Sequence, residues 1–467
     1  MALSAILAVA PAACGDELAT RRDADVDADA AIDAAGDADV DADLDGDAEI
    51  DGDLEGEARD GDPDGDAEDG GSPLAVTTEV VTREHRFVPG AMFGGWGPHL
   101  GHLLRTDRAG SGETDLYWVD DLCSQDVAGD CDVHVNRRVG VFRRESDGWR
   151  SVATVLLPAG VQQNTATLAA GTTLRVFGMD TSAARVAECA IDVTSGASAC
   201  APISIAVGPS ANYIGAAVAP TGSRVVWWTN VVDGGGGSFS YIADCGGGWN
   251  GPRAGPVGGY NNCAYAHAAF RADGPEVTFF CQVVSGLAPD WTPATHVGEA
   301  SLVTTDPVVW ANVLAPSEGD PVVSTNDLWI DGSTGDAHLL ARTEGGAAAY
   351  YFRPRDGAWT GALFVAPGSY RARWTATTDR VALVSGPSTG GLELRLVPRD
   401  AMVAGDPLDF TSAPPLEVAL PEGFGSAVGI YPVSDVYQTA EVTGLELVVV
   451  GQRRQNEALF VEVDVEP

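Results

Sequence analysis

From Pro73 onward, apolar residues come in short runs that alternate with polar ones, broken by turns every several residues. No stretch sustains a 3.6-residue period, so the pattern predicts strands throughout. One unit recurs: a short strand, a tight polar turn, then a stronger apolar strand. It reads HLLRTDRAGSGETDLYWVDD, then ATLAAGTTLRVFGMD, AAVAPTGSRVVWWTNVV and AAFRADGPEVTFFCQVV, and later DLWIDGSTGDAHLLARTE and ARWTATTDRVALVSGP. GIYPVSDVYQTAEVTGLELVVVGQ is a seventh, looser copy. The turns fall near Gly110, Gly171, Gly222, Gly274, Ser333, Asp379 and Gly444, at intervals of 46 to 65 residues that suit one four-stranded sheet per repeat.

The second half of the unit also repeats. VGVFRRESDGWRSVATVLLP aligns with AAYYFRPRDGAWTGALFVAP, and FSYIADCGGGWNGPRAGPV is a weaker copy. Each places a Trp (Trp149, Trp249, Trp359) just past a Gly-containing turn. The last unit ends at ALFVEVDVEP without a fourth strand, and PLAVTTEVVT (Pro73 to Thr82) has the pattern to supply it from the other end. Such pairing removes the exposed edges of a row of sheets. The expected fold is therefore all-β, a seven-bladed ring over 73–467 closed by 73–82, with six or eight blades as the alternatives. The rhythm resembles the β-propellers of the sialidase-like, BNR-repeat group. The resemblance stops short of their chemistry. SDGW (Ser146 to Trp149) and DGAW (Asp356 to Trp359) are too short for the S-x-D-x-G-x-x-W box, and FRP (Phe352 to Pro354) lies away from the domain start where the group carries its F-R-I-P motif.

Composition changes the picture before Pro73. Of the formal charge of −40, −21 lies between Asp16 and Asp69, where 24 acidic residues meet three arginines. This stretch, 15–72, offers too little apolar surface to offset chain entropy and reads as a disordered acidic stalk. Like charges extend it, to at most ~180 Å for about 55 residues. Asp41, Asp43, Asp45 and Gly46 imitate a calcium loop, but Gly52 stands where a bidentate Glu is needed. A polyanion of this kind excludes nucleic acid as a partner.

The chain opens with an apolar run, Leu3 to Ala13, followed by Cys14. It is too short to span a bilayer and reads as a signal segment, 1–14. It resembles a bacterial lipoprotein signal, which implies lipidation of Cys14, a membrane anchor and an outer-membrane or cell-surface location; cleavage near Ala12 or Ala13 to give a secreted protein is the alternative. Eight cysteines fit an oxidising compartment. Cys123 with Cys131, and Cys189 with Cys200, read as hairpin disulfides, while pairing among Cys245, Cys263 and Cys281 stays open.

Chemistry is sparse. The chain has no G-x-S-x-G, Walker or H-E-x-x-H motif. HLGH (His99 to His102) lacks an obvious third metal ligand, so no metal and no cofactor is expected. What remains is the set of segments that would lead from each outer strand to the next inner strand and gather at one mouth of the ring. They hold Trp96, His99, Gln163 and Asn164; then Asn212, Tyr213, Tyr260, Asn261, Asn262 and Tyr265; and finally Tyr370, Arg371 and Trp374. Rings beside amides hold sugars or peptides by stacking and hydrogen bonds. Trp227, Trp228 and Trp329, within strands, read as core. The expectation is a monomeric, non-catalytic propeller that binds a glycan or peptide. A glycoside hydrolase or polysaccharide lyase, drawing on Glu318, Asp320, His99, His267 and Arg371, is the rival, and a structural envelope protein the third reading.

Overall fold

The structure, a computed structural model, describes residues 75–85, 102–107, 114–122, 137–207, 211–219, 222–232, 236–254, 263–270, 276–285, 292–301, 309–314, 322–331, 334–343, 347–360, 362–366, 372–386, 391–424, 427–433, 444–451 and 457–465. The expectations for the leader, Cys14 and the acidic stretch fall outside that range, as do Cys123 and Cys131.

β1 (Val76–Thr82) opens the described chain. A first sheet follows with β2 (Leu103–Asp107), β3 (Thr114–Leu122), β4 (Arg138–Glu145) and β5 (Gly148–Leu156), and a second with β6 (Val161–Ala170), β7 (Thr173–Asp180), β8 (Arg185–Asp192) and β9 (Ser198–Ala206). The third holds β10 (Ala211–Val218), β11 (Arg224–Val232), β12 (Gly236–Asp244) and β13 (Trp249–Ala254); the fourth holds β14 (Cys263–Phe270), β15 (Glu276–Ser285), β16 (Thr292–Ser301) and β17 (Val309–Leu314). In the fifth stand β18 (Val322–Ile330), β19 (Ala337–Thr343), β20 (Ala348–Arg353) and β21 (Phe364–Ala366), and in the sixth β22 (Arg373–Ala376), β23 (Arg380–Ser385), β24 (Leu392–Pro398) and β25 (Leu416–Val418). The last sheet runs β26 (Ala427–Pro432), β27 (Gly444–Gly451), β28 (Ala458–Asp464) and then β1, so the described strands make seven four-stranded antiparallel sheets. The chain is a β-propeller.

The inner strands β2, β6, β10, β14, β18, β22 and β26 each lie against the next, and a parallel bridge from Leu103 to Val433 joins the first to the last. A separate apolar cluster fills each space between neighbouring sheets. Tyr117 and Val141 meet Val161 and Val176 between the first and second, for example, and Leu103, Trp118 and Phe142 meet Tyr431, Val448 and Phe460 where the ring closes. Strands apolar on both faces make sense only in such a stack, since each face is covered by a neighbour. Trp227, Trp228 and Trp329 are at most 2 % exposed, as their strand positions predict.

The repeated Trp has a common task. Trp149 packs edge-on to Phe460 and Trp249 edge-on to Phe177, so each leans on the preceding sheet, and Trp359 joins the cluster between the fourth and fifth sheets. An Arg lies over a ring at each junction: Arg144 over Phe460, Arg224 over Trp249 and Arg353 over Trp359. Cys189 and Cys200, directly opposed on β8 and β9, form the disulfide read from their spacing. Cys245 is also disulfide-bonded.

Closure rests on backbone and charge together. β1 runs antiparallel to β28 from Val76 opposite Val463 to Thr82 opposite Ala458, so the N-terminal strand completes the C-terminal sheet. Arg144 of the first sheet then reaches Glu462 at 2.8 Å, Glu79 at 3.3 Å and Glu446 at 3.8 Å, touching three strands of the last sheet, while Arg105 also bonds the buried Glu446. Glu446 and Glu462 face each other across β27 and β28, a like-charge pair that only these arginines make tolerable. Burial still holds the Glu446 carboxyl above its ordinary value, against the pull of Arg105. Arg144→Ala removes a cation from this group and its stacking on Phe460. It is expected to cost about 2–4 kcal/mol in urea unfolding, and Glu446→Gln in the same chain should recover part of that loss. Additive losses from the two substitutions would contradict the clasp.

Candidate functional site

The N-terminal ends of the inner strands gather at one end of the ring. There the ladder is irregular. Between Val161 and Thr165, β6 advances four residues while β7 advances two, from Asp180 to Gly178. β10 slips between Asn212 and Gly215, β14 between Ala264 and His267, β18 between Thr325 and Asp327, and β26 between Ala427 and Gly429. Five inner strands thus carry a bulge in the same half. A bulge bends its strand and re-aims side chains, and such irregularities concentrate at barrel rims and sites. Gly215 shows how tight the core is just past one of them, because a Cβ there would meet the Trp227 ring at 2.3 Å.

Gln163, Asn164, Asn212, Tyr213 and Tyr265 are expected on connecting segments. The structure instead places them within β6, β10 and β14, in or beside the bulged stretches, with their side chains outside the described residues. The extra residue of a bulge lets an inner strand start early, so polar residues that look like loop belong to the strand itself. Trp374 is a correction. It is 1 % exposed and packs between Trp329, Tyr350 and Phe410 in the core shared by the fifth and sixth sheets, because β22 begins one residue earlier and turns it inward. Trp96, His99, Tyr260, Asn261, Asn262, Tyr370 and Arg371 lie outside the described residues, as do Glu318 and Asp320.

Two groups of titratable residues occupy this end. On the first sheet, β3 ends in Val119-Asp120-Asp121-Leu122, and both carboxylates are buried. Asp120 accepts from the His85 ring through Nδ1 at 2.7 Å and from Trp118 Nε1 at 3.0 Å, while Asp121 is paired with buried Arg137. His102 donates Nδ1–H to the carbonyl of Val119 at 2.8 Å and lies 5.6 Å from Trp118 and 5.5 Å from Tyr431, ring to ring. Burial holds this imidazole below its ordinary value although Asp120 and Asp121 pull it up. His102 of the HLGH segment thus makes an ordinary hydrogen bond to the backbone. The sequence reading passed over His85 and the two aspartates. For the aspartates a signal was available, namely two adjacent acids flanked by apolar residues within a strand, which must be paired if buried.

The second group is a register match. His267, Asp327 and Arg373 each stand fourth from the end of an inner strand, on β14, β18 and β22 in succession. His267 and Arg373 are buried and Asp327 half-buried. Asp327 accepts the N–H of Trp374 and of Leu328, each at 2.9 Å, so it ties the inner edge of the sixth sheet to the fifth. Burial raises its carboxyl from 3.8 to about 6, against the opposing pull of Arg373 and of those two N–H groups. Among the described residues, no three ligating side chains converge as a metal site would require.

No family model and no curated protein matches the chain. Solved structures do. The polysaccharide lyase Uly1 aligns over 84 % of this chain and all of its own at 9 % identity and a TM-score of 0.50. An ulvan lyase covers 82 % of this chain and 95 % of its own at 10 % identity with a TM-score of 0.49, and the periplasmic gluconolactonase of Pseudomonas aeruginosa covers 68 % and 86 % at 12 % with 0.44. Such likeness extends to the fold alone. The sialidase-like grouping gains no support from any of these comparisons.

Asp327 and the buried His338 give the domain opposed pH dependences. His338 stacks 4.6 Å from Trp329, its Nδ1 lies 2.9 Å from the Tyr350 hydroxyl, and burial lowers it from 6.5 to about 4. Folding therefore expels a proton from His338 between those values, and its contribution is lost as pH falls from 6.5 toward 4. Folding takes up a proton on Asp327 between 3.8 and about 6, so stability falls as pH rises through that window. Each slope amounts to at most about 3 kcal/mol, and they oppose between about pH 4 and 6. Asp327→Asn leaves the His338 slope alone. Its urea midpoint should climb more steeply from pH 4 to 6 than that of the parent, and parallel curves would refute the assignment.

Proposed function

We propose that this chain binds a glycan at the end of the ring where the inner strands are bulged. The observation carrying this reading is that three of the five irregular inner strands, β6, β10 and β14, hold the amide- and tyrosine-bearing stretches around Gln163, Asn164, Asn212, Tyr213 and Tyr265. Amides offer paired donors and acceptors to sugar hydroxyls, and tyrosines offer stacking faces with a polar tip. A rim built on strands is also held more rigidly than one built on loops, which lowers the ordering cost of binding. The polysaccharide lyases among the structural neighbours are consistent with a sugar at this scaffold and, through shared fold alone, carry no more than that.

A second reading, cleavage of a polysaccharide, draws on the register match of His267, Asp327 and Arg373, since a carboxyl raised to about 6 is suited to proton transfer near neutral pH. Against it, both Asp327 oxygens already accept backbone N–H groups, which makes a structural task sufficient. Binding without turnover is therefore preferred.

In this reading the acidic stretch is a spacer and Cys14 a lipid anchor that places the propeller at the outer membrane or cell surface as a monomer. Metabolic labelling with a palmitate analogue should mark the expressed chain and fail for Cys14→Ala; equal labelling of both would remove the anchor. A glycan array probed with 73–467 should give a saturable signal. Tyr213→Ala and Tyr265→Ala should each weaken it about tenfold or more, the scale of a lost stacking contact. No array signal, or an unchanged signal in both variants, would overturn the reading.

A further inference from the structure

The first sheet carries a hydrogen-bonding group that the fold itself does not use. His85 follows the closing strand β1, bridges to Leu122 at the end of β3, and is 3 % exposed. Its Nδ1 faces a carboxylate oxygen of Asp120, so in the neutral ring Nδ1 carries the proton and Nε2 the lone pair. That Nε2 is buried and, among the described residues, has no hydrogen-bond partner. Asp121 Oδ1 is in the same condition, with Oδ2 committed to Arg137. His102, whose Nδ1 is likewise committed to Val119, also has its lone pair on Nε2. His85 Nε2 and Asp121 Oδ1 are thus both acceptors, on residues that stand where the end of β3 meets the segment following β1. Leaving one buried and unfilled costs stability, which a binding site recovers when its ligand arrives. A ligand that fills them must donate. Sugar hydroxyls, the ligand class proposed for this end of the ring, are such donors.

We infer that His85 is a ligand-contacting residue of the propeller, accepting a hydrogen bond from a sugar hydroxyl through Nε2, and that Asp120 is its positioning residue. The inference rests on the glycan reading of this end of the ring and adds the first sheet to it. Asp120 holds the ring by Nδ1 and is itself held by Trp118 Nε1, so the imidazole is fixed in tautomer and orientation before any ligand binds.

The test uses the full chain and, as probe, the glycan with the strongest array signal, titrated calorimetrically. His85→Phe keeps a planar ring and removes the acceptor, and it should weaken binding at least tenfold while circular dichroism stays unchanged. Asp120→Asn should weaken it less, because the amide oxygen can still hold the ring. Unchanged affinity in His85→Phe overturns this inference and leaves the glycan reading intact, whereas no binding by the parent chain overturns both. Should His85→Phe fail to fold, nitrogen-15 spectra of the parent imidazoles decide: the glycan must shift the His85 Nε2 resonance, and a static resonance overturns the inference.

Discussion

Everything in this domain depends on closing a circle of sheets with one strand from the far end of the chain. Each sheet is apolar on both faces, so a linear row would leave a bare face at either end. The ring removes both at once, and the Leu103, Trp118 and Phe142 cluster against Tyr431, Val448 and Phe460 is the junction where first meets last. β1 makes that junction covalently remote. It takes the outer place in the last sheet while the chain that follows it supplies the first, so unravelling at either terminus must break β1–β28 pairing. The arginine clasp lies across this same seam. Its carboxylates repel one another without Arg144 and Arg105, and burial makes that repulsion expensive.

Closure solves the faces but leaves the inner edges. Each innermost strand has one side of its backbone unpaired, and these edges crowd around the axis. The chain answers with local devices rather than a uniform ladder. Leu103 and Val433 pair in parallel across the seam, and Asp327 accepts the Trp374 N–H from the next sheet. Bulges in β6, β10, β14, β18 and β26 turn the strand starts where the edges are most crowded. The irregularity that lets seven inner strands share one axis also creates the variable rim on which a ligand can be read. Fold and candidate site are two consequences of one packing constraint.

This explains what could be read from sequence and what could not. Turns near Gly110, Gly171, Gly222, Gly274, Ser333 and Asp379 each fall between the first two strands of a sheet, and Gly444 opens β27, because alternation and turn chemistry are local. Donation of the first strand to the last sheet was legible too, from a missing strand at one end and a spare at the other. Bulges were not. They change strand register without changing composition, so Asn212 and Tyr265 look like loop while Trp374, a residue past the start of a short strand, looks like rim. Partners of buried acids were equally out of reach: Asp120 and His85 are 35 positions apart and meet only because β1 and the first sheet are neighbours in the closed ring.

That last contact raises a question of cause. Asp120 can be read as a structural residue that fastens the closing strand to the first sheet, with His85 as its counterpart. A purely structural pairing, however, is better served by groups that satisfy each other completely, as Asp336 does by accepting from the backbone N–H of both Arg355 and Gly405. An imidazole brings a second nitrogen that must be desolvated and then left empty. Retaining it at the seam is costly for stability alone. It becomes economical if the same ring serves a second purpose at the end of the propeller where the inner strands are already irregular, and if the Trp118–Asp120–His85 relay exists to aim that nitrogen rather than only to tie down the strand that precedes it.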